Sequence, residues 1–289
     1  MATPAQWVEG ARPRTLPAAL APVAAGTGAA AAVDALAAGY AVLALVVALA
    51  LQVGVNYAND YSDGVRGTDT ERVGPLRLVG SGVATPGAVK HAAWVSFAVA
   101  GAAGLALAAA TTWWLLAVGA ACLAAAWSYT GGRSPYGYRG LGEVSVFVFF
   151  GLVATVGTTY VQAREVTVPA VLAGVGCGAL GCAILVANNL RDRPLDEVAG
   201  KRTLAVRIGD RHTRVLYAAL LLSAYAVVLA LAVEHPAVLL VLLTAPLAAR
   251  PAMRTLRGAA GRDLVAVLKD TGQVLLVYGV GVGITLALP

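Results

Sequence analysis

The sequence is poor in charged residues, in histidine and in cysteine. Only 12% of its 289 residues are charged, about half the fraction that is usual in soluble proteins. This scarcity excludes an ordinary soluble domain and favours a membrane-embedded protein. The histidines are scattered and the cysteines lie inside apolar segments, so neither a disulfide framework nor a histidine or cysteine metal site is expected. The cysteines instead predict small core residues: Cys122, Cys177 and Cys182.

The sequence contains many long apolar segments. Hydrophobic residues make up 59% of the chain, and the mean hydropathy is +0.76. The runs that could cross a bilayer as helices are 16–33, 39–58, 90–110, 112–129, 142–162, 168–189, 213–233, 236–250 and 267–288. Helices are expected because backbone groups in lipid must form hydrogen bonds within their own segment. We therefore predict an all-α, polytopic membrane protein, with about nine transmembrane helices around a central cavity that has a polar cytoplasmic mouth.

Basic residues are distributed unequally between the two sides that these runs define. Every Lys and Arg except Arg164 falls in the loops on the side of the N-terminus. This bias predicts that the N-terminus and the basic loops are cytoplasmic and that the C-terminus is outside. The net charge of +6 is thereby explained by topology, and no nucleic-acid partner is predicted.

Two stretches rich in Asn and Asp follow the apolar runs 40–55 and 168–187. The first acidic stretch is Asn56-Tyr-Ala-Asn59-Asp60-Tyr-Ser-Asp63, and the second is Asn188-Asn189-Leu-Arg191-Asp192-Arg-Pro-Leu-Asp196. If both are helical, their polar residues recur every three or four positions and line one helix face. Carboxylates held together at the end of a membrane helix repel one another and resist desolvation. Bound cations would remove both penalties.

The chemistry of these stretches indicates a metal and a phosphorylated lipid. Oxygen ligands without histidine or cysteine favour Mg²⁺ or Mn²⁺ over zinc. Cations lie near both stretches in the sequence: Arg66, Arg72, Arg77, Arg191, Lys201 and Arg202. A mouth with both signs of charge suits a diphosphate that metal ions bridge and cations clamp. The apolar bundle below it suits a lipid chain.

The duplication of the acidic stretch also predicts how the chain is organised. We predict a single transmembrane domain over 1–289, with a pseudo-repeat that relates residues 16–129 to residues 142–250. The ninth helix, 267–288, would follow the repeat.

The two stretches carry a family resemblance. Asn56-x-x-Asn59-Asp60-x-x-Asp63-x-x-x-Gly67-x-Asp69 and Asp192-x-x-x-Asp196 resemble the two aspartate-rich motifs of the UbiA superfamily of intramembrane aromatic prenyltransferases. Four further segments are similar to its 1,4-dihydroxy-2-naphthoate polyprenyltransferase branch (MenA): 11–17, 129–136, 140–143 and 200–207. The resemblance covers nearly the whole chain, from about residue 7 to residue 288.

The resemblance implies a Mg²⁺-dependent enzyme of the bacterial cell membrane that belongs to menaquinone biosynthesis. It would transfer a polyprenyl group from polyprenyl diphosphate to 1,4-dihydroxy-2-naphthoate, with loss of CO₂, to give a demethylmenaquinone. The implied metal ligands are Asn56, Asp60, Asp63, Asn188, Asp192 and Asp196. The implied catalytic residues are Asp60, Asp63, Asp192, Asp196 and Lys201. The implied substrate-binding residues are Asn56, Asn59, Arg66, Arg133, Tyr129, Asn188, Asn189, Arg202 and Arg14. Either Arg12 or Arg14 would receive the aromatic carboxylate, unless both only set the topology.

Several alternatives are left open by the sequence. Glu143, at the start of a span near the mouth, could be a catalytic residue or a charge that stabilises the helix N-terminus. Asp69 departs from the spacing of the superfamily's last acidic position, so its part as a metal ligand is undecided. The acceptor could be another aromatic compound, such as 4-hydroxybenzoate or homogentisate. A cation-coupled transporter would also use intramembrane carboxylates, but it would hold them near the bilayer midplane rather than at span ends on one side.

Overall fold

The computed structural model describes residues 2–67 and 76–288, and this part of the chain is mostly helical. Its helices are α1 (Pro4–Gly10), α2 (Pro17–Ala31), α3 (Ala38–Arg66), α4 (Pro86–Ala110), α5 (Trp114–Ser128), α6 (Gly142–Ala163), α7 (Val168–Val198), α8 (Leu204–Leu231), α9 (Pro236–Leu256) and α10 (Arg262–Leu286). Short 3₁₀ turns at Pro13–Thr15 and Tyr136–Arg139 precede α2 and α6. The predicted all-α class is confirmed. Asp69 and Arg72 lie outside the described residues.

Most of the predicted membrane spans are matched by full-length helices. Among the described residues, seven helices are long and apolar enough to cross a membrane: α3, α4, α6, α7, α8, α9 and α10. The other two predicted runs correspond to α2 and α5, which have 15 residues each. A helix needs about 20 residues to span the hydrocarbon core. Each predicted run is therefore a helix, but the count of nine spans holds only approximately.

The two acidic stretches lie on helices that continue past their apolar runs. The helix α3 has 29 residues and is followed by its C-terminal capping residue, Gly67, whose φ of 72° is a left-handed conformation that glycine adopts without steric cost. The helix α7 has 31 residues and carries the whole second stretch. Both acidic stretches are therefore helical, which is what the prediction of polar residues along one helix face required.

Small residues let the helices around α7 approach closely. Of the candidate spans, α7 has the most buried apolar window, at 72%. A Cβ added to Gly151 of α6 would lie 2.5 Å from the Cα of Gly178 on α7. The helices α2 and α10 meet in a similar way, at Gly28 and Gly283. Because glycine has no side chain, the helix backbones come into contact at these residues, as is usual in membrane helix bundles.

The middle of α6 is wound as a π-helix over Phe147–Val153. A π turn widens the helix and is frequent at functional sites. Phe149, Phe150 and Val153 from this turn line a cavity between the helices.

The predicted pseudo-repeat stays a prediction, because helix bounds alone do not relate the two halves.

Candidate active site

A cavity of about 460 Å³ lies among α2–α7, with a contribution from α10. Its apolar wall includes Ala44, Val47, Leu107, Leu115, Phe149, Phe150 and Val161. Its polar wall includes members of both acidic stretches: Asn56, Asn59, Asp63, Asn188, Asn189, Asp192 and Asp196. Two stretches that are far apart in the sequence therefore face one space.

The first stretch is tied to the N-terminal segment by amide hydrogen bonds. The Nδ2 of Asn56 donates to the carbonyl oxygen of Ala11 at 2.9 Å and to the Oγ1 of Thr15 at 2.9 Å. The Nε2 of Gln52 donates to the same hydroxyl at 2.8 Å. These bonds use the amide nitrogen of Asn56, so its Oδ1 stays available as an acceptor or as a metal ligand.

Asp60 is placed differently from the other acidic residues of the two stretches. It is 0% exposed and is not part of the cavity lining. Its Oδ2 accepts the backbone N–H of Leu78 at 2.7 Å, and its Oδ1 accepts that of Val79 at 3.1 Å. Asp60 therefore fixes the segment after Leu76 against α3. Its predicted part in holding a metal stays a prediction.

The second stretch contains its own buried cation. Arg191 donates from Nε to the Oδ1 of Asp192 at 2.7 Å and from Nη2 to the Oδ2 at 2.8 Å. The same Nη2 donates to the Oδ1 of Asn188 at 2.8 Å. The side chains of Arg191 and Asp192 are 4% and 7% exposed. This two-bond pair holds the Asp192 carboxylate in one orientation at the cavity wall.

Lys201 lies between the two stretches. Its Nζ is 3.6 Å from the Oδ1 of Asp63 and 4.0 Å from the Oδ1 of Asp196. The same Nζ lies 4.6 Å from the ring centroid of Tyr138, in cation–π range. One buried cation therefore contacts both acidic stretches at the mouth of the cavity.

The 129–139 segment completes the mouth with aromatic residues. The hydroxyl of Tyr138 donates to the Oδ1 of Asp63 at 2.5 Å. The Oγ1 of Thr130 donates to the Oδ1 of Asn59 at 2.7 Å. Tyr129 and Tyr136 also line the cavity. Burial raises the pKa of Tyr136, so its hydroxyl stays neutral at physiological pH.

The predicted substrate-binding cations divide into two groups. Arg14 and Lys201 line the cavity, and so does Arg12, the alternative to Arg14 for the aromatic carboxylate. Arg66, Arg133 and Arg202 are exposed and lie outside its lining. Arg66 instead donates to the backbone carbonyls of Thr130 and Gly132, and so ties the end of α3 to that loop. The arrangement therefore gives no support to a contact between these three arginines and a diphosphate in the cavity.

Other cavity residues were not predicted as substrate ligands. Arg77 and Arg191 were counted only as nearby cations, whereas both line the cavity. Tyr138 and Lys269 also line it, and they belong to a short turn and to the start of the last apolar run. The sequence carries no local pattern that marks either of these two residues.

The donor atoms in the cavity fit Mg²⁺. Within residues 2–67 and 76–288, no group of three or more Asp, Glu, His or Cys side chains is arranged to hold a metal ion. Mg²⁺ usually binds through one or two carboxylates, with substrate phosphates and water completing its octahedron. The carboxylates of Asp63, Asp192 and Asp196 face the cavity and match that donor type.

The fold and the site together define a class of protein. It is a helical membrane protein with an apolar cavity whose charged mouth is suited to an amphipathic, anionic ligand. The sequence profile of the UbiA prenyltransferase family matches residues 19–268. The 1,4-dihydroxy-2-naphthoate octaprenyltransferase of Mycobacterium tuberculosis is 56% identical over 287 residues, which cover 99% of this chain and 98% of that protein. The chain belongs to the UbiA prenyltransferase family and is a multi-pass membrane prenyltransferase.

Solved structures have the same fold. The apo structure of a UbiA homologue from Aeropyrum pernix K1 matches with a TM-score of 0.73 at 16% identity, over 91% of this chain and 96% of that chain. A UbiA homologue from Archaeoglobus fulgidus bound to GPP and Mg²⁺ matches with a TM-score of 0.60 at 15% identity, over 96% of this chain and 99% of that chain. Both matches confirm the predicted helical architecture.

Proposed function

We propose that the chain transfers a polyprenyl group from polyprenyl diphosphate to 1,4-dihydroxy-2-naphthoate, with loss of CO₂. The product is the quinol form of a demethylmenaquinone. The observation that carries this proposal is the meeting of both acidic stretches at one cavity, with Lys201 in contact with each of them. The high identity to a 1,4-dihydroxy-2-naphthoate octaprenyltransferase supports the choice of acceptor.

The polar mouth holds the diphosphate and the apolar part holds the isoprenoid chain. Lys201 supplies positive charge between the stretches, and Arg77 lines the same cavity. Arg191 keeps Asp192 and Asn188 in fixed orientations. Mg²⁺ held by Asp63, Asp192 and Asp196, with Asn56, Asn188 and the nearby Asp60, would offset the charge of the diphosphate and improve it as a leaving group.

The reaction exchanges a carbon–oxygen bond for a carbon–carbon bond. The bond from the allylic carbon to the diphosphate oxygen breaks, and both electrons leave with the diphosphate, whose charge Lys201 stabilises. The ring carbon that bears the carboxylate bonds to the allylic carbon through a pair of π electrons of the electron-rich naphthoate. The carboxylate departs as CO₂ and its bonding electrons return to the ring, so no oxidant is needed. Phe149 and Phe150 help to exclude water from the allylic carbon.

We further propose that the mouth faces the cytoplasm of a bacterial cell, with the C-terminus outside. The mouth residues and the basic loops belong to the same ends of the helices. Lys and Arg concentrate in cytoplasmic loops of membrane proteins. A water-soluble naphthoate and the diphosphate head would then enter from the cytoplasm, while the isoprenoid chain stays in the membrane.

Reconstitution tests the proposal. The purified chain in lipid vesicles receives Mg²⁺, polyprenyl diphosphate and, in separate reactions, 1,4-dihydroxy-2-naphthoate, 4-hydroxybenzoate or homogentisate. The expected result is a prenylated, decarboxylated product from the naphthoate, detected by mass. Product from another acceptor alone would reassign the substrate. Excess chelator should stop turnover and added Mg²⁺ should restore it. Full activity in chelator would remove the metal from the proposal.

A pair of glycines on α4 tests where the isoprenoid chain lies. A Cβ at Gly104 or at Gly101 would meet no atom within 4 Å, but only Gly104 lines the cavity. Gly104→Leu should therefore fill cavity space and raise KM for a long polyprenyl diphosphate more than for geranyl diphosphate. The matched control, Gly101→Leu on the same helix, should leave both KM values unchanged. Equal effects of the two variants on both diphosphates would contradict the placement.

A further inference from the structure

Glu143, in the first turn of α6, is a buried acid that the proposed reaction does not use. It is 9% exposed, and its Oε1 accepts a hydrogen bond from the Nδ2 of Asn189 at 3.0 Å. Its Oε2 is buried and has no hydrogen-bond partner among the described residues. The thiol of Cys182 on α7 donates to the backbone carbonyl of Glu143 at 3.0 Å. The turn is therefore joined to α7 at two points.

Asn189 connects this buried acid to the active site. It is 7% exposed and lines the cavity, whereas Glu143 does not. A carboxylate oxygen accepts hydrogen bonds, so it draws the amide NH₂ of Asn189 toward α6. The Oδ1 on the other branch of the amide is then left as an acceptor, and no bond to it is made by the described residues. Asn189 is also next to Asn188, which the Arg191 side chain holds.

An unpaired buried carboxyl oxygen costs free energy, so it calls for an explanation. Packing alone does not explain it, because an apolar side chain in the same place would have no unpaired oxygen. A carboxyl group there does one thing that an apolar side chain cannot. It fixes which end of the Asn189 amide faces the cavity.

We propose that Glu143 is a positioning residue, which orients Asn189 so that its Oδ1 accepts a hydrogen bond from a ring hydroxyl of the aromatic acceptor. This inference rests on the proposed function. A buried acceptor that is already oriented selects for a ligand with a donor at that point, because a ligand without the hydroxyl would leave the acceptor unpaired. Glu143 would thus act on the binding of the acceptor and not on the diphosphate.

The first experiment compares Glu143→Gln and Glu143→Ala in the full chain, with the exposed Glu165→Gln as the control. The amide oxygen of a glutamine can still accept from Asn189, so Glu143→Gln should stay near wild type. Glu143→Ala frees the Asn189 amide and should raise KM for the naphthoate by about tenfold, the size expected for one hydrogen bond. KM for the polyprenyl diphosphate should stay unchanged.

A second experiment exchanges the acid and the amide between positions 143 and 189. It keeps the test decisive if Glu143→Ala folds poorly. Asn189→Asp places a carboxylate beside Glu143 and should weaken naphthoate binding. Adding Glu143→Gln restores one donor and one acceptor across the contact and should recover binding. Binding of the naphthoate alone is measured at equilibrium, without metal or polyprenyl diphosphate, so the result does not depend on turnover.

The outcomes separate this inference from the proposed function. If the wild-type chain does not prenylate the naphthoate, the proposed function fails. If it does, but Glu143→Ala changes both KM values equally or neither, the positioning proposal is wrong. Glu143→Gln as impaired as Glu143→Ala, or a double variant no better than Asn189→Asp, would overturn it as well.

Discussion

The two acidic stretches look alike in the sequence but have different surroundings in the structure. In the first, Asp60 is turned away from the cavity and is held by backbone N–H groups of Leu78 and Val79. In the second, Asp192 faces the cavity and is held by the side chain of Arg191. In the first stretch, Asp60 therefore holds a neighbouring backbone segment in place. In the second stretch, Arg191 holds the Asp192 carboxylate in place.

The difference matters because the two kinds of partner respond differently to mutation. Every residue except proline keeps its backbone N–H, so loss of the Asp60 carboxylate takes the acceptor away from two donors that ordinary substitutions at Leu78 and Val79 do not remove. A side-chain cation can be removed together with its aspartate. The two stretches can therefore be separated by experiments in which activity and stability are measured on the same variants.

The largest effect is expected on turnover. Asp60→Ala and Asp192→Ala should each reduce kcat/KM by at least about 10³-fold, because both residues are proposed to hold the Mg²⁺ that offsets the charge of the diphosphate. Asp263→Ala, at an exposed position of α10, is the control and should stay active. The variants are compared in vesicles by product formation, with membrane insertion checked separately. Substantial turnover by a well-folded Asp60→Ala chain would restrict Asp60 to a structural part.

The next effect is on stability, and it distinguishes the two stretches. Asp192→Ala leaves Arg191 buried without its carboxylate, a change that costs about 3–5 kcal/mol. Arg191→Ala combined with Asp192→Ala should recover much of that loss, as measured by the thermal midpoint in detergent. Asp60→Ala should also lower the midpoint, but it has no such partner variant. A double variant no more stable than Asp192→Ala would show that the Arg191 pair is not the cause.

The helical faces could be predicted because the spacing of Asn and Asp follows the helix period. The sharing of one cavity followed from the duplication of the stretch. Both features depend on residues that are close in the sequence, or on a pattern that is repeated. The same reasoning could identify Arg191 only as a cation near the stretch, because its two-bond geometry depends on the side-chain conformations at Asn188 and Asp192.

The surroundings of Asp60 and Arg66 could not be predicted from the sequence. The N–H groups that bind Asp60 belong to Leu78 and Val79, which lie 18 and 19 positions further along the chain and share no helix period with it. Arg66 is directed to the carbonyls of the 130–132 loop and not to the cavity, because the end of α3 packs beside that loop. Both outcomes are set by tertiary packing, which overrides a local pattern.

Lys201 sharpens the comparison because it contacts both stretches. Lys201→Met should reduce kcat/KM by about 10²-fold, since it removes the charge between Asp63 and Asp196. The neighbouring Arg202→Met is a matched control, because Arg202 is exposed and lies outside the cavity lining. Its activity should stay close to that of the wild type. Equal losses in the two variants would indicate that the charge of the loop matters, and not the position of Lys201.

The smallest effect is expected at Tyr138, whose hydroxyl donates to Asp63 of the first stretch. Tyr138→Phe removes the hydroxyl that donates to Asp63 at 2.5 Å but keeps the ring beneath Lys201. One lost hydrogen bond should lower kcat/KM by about three- to tenfold. Tyr138→Leu removes the ring as well and should lower it further, because Lys201 then loses its cation–π contact. If Tyr138→Phe were as active as the wild type and Tyr138→Leu were not, the ring alone would support the first stretch. The contact between Tyr138 and Asp63 would then have no part in catalysis.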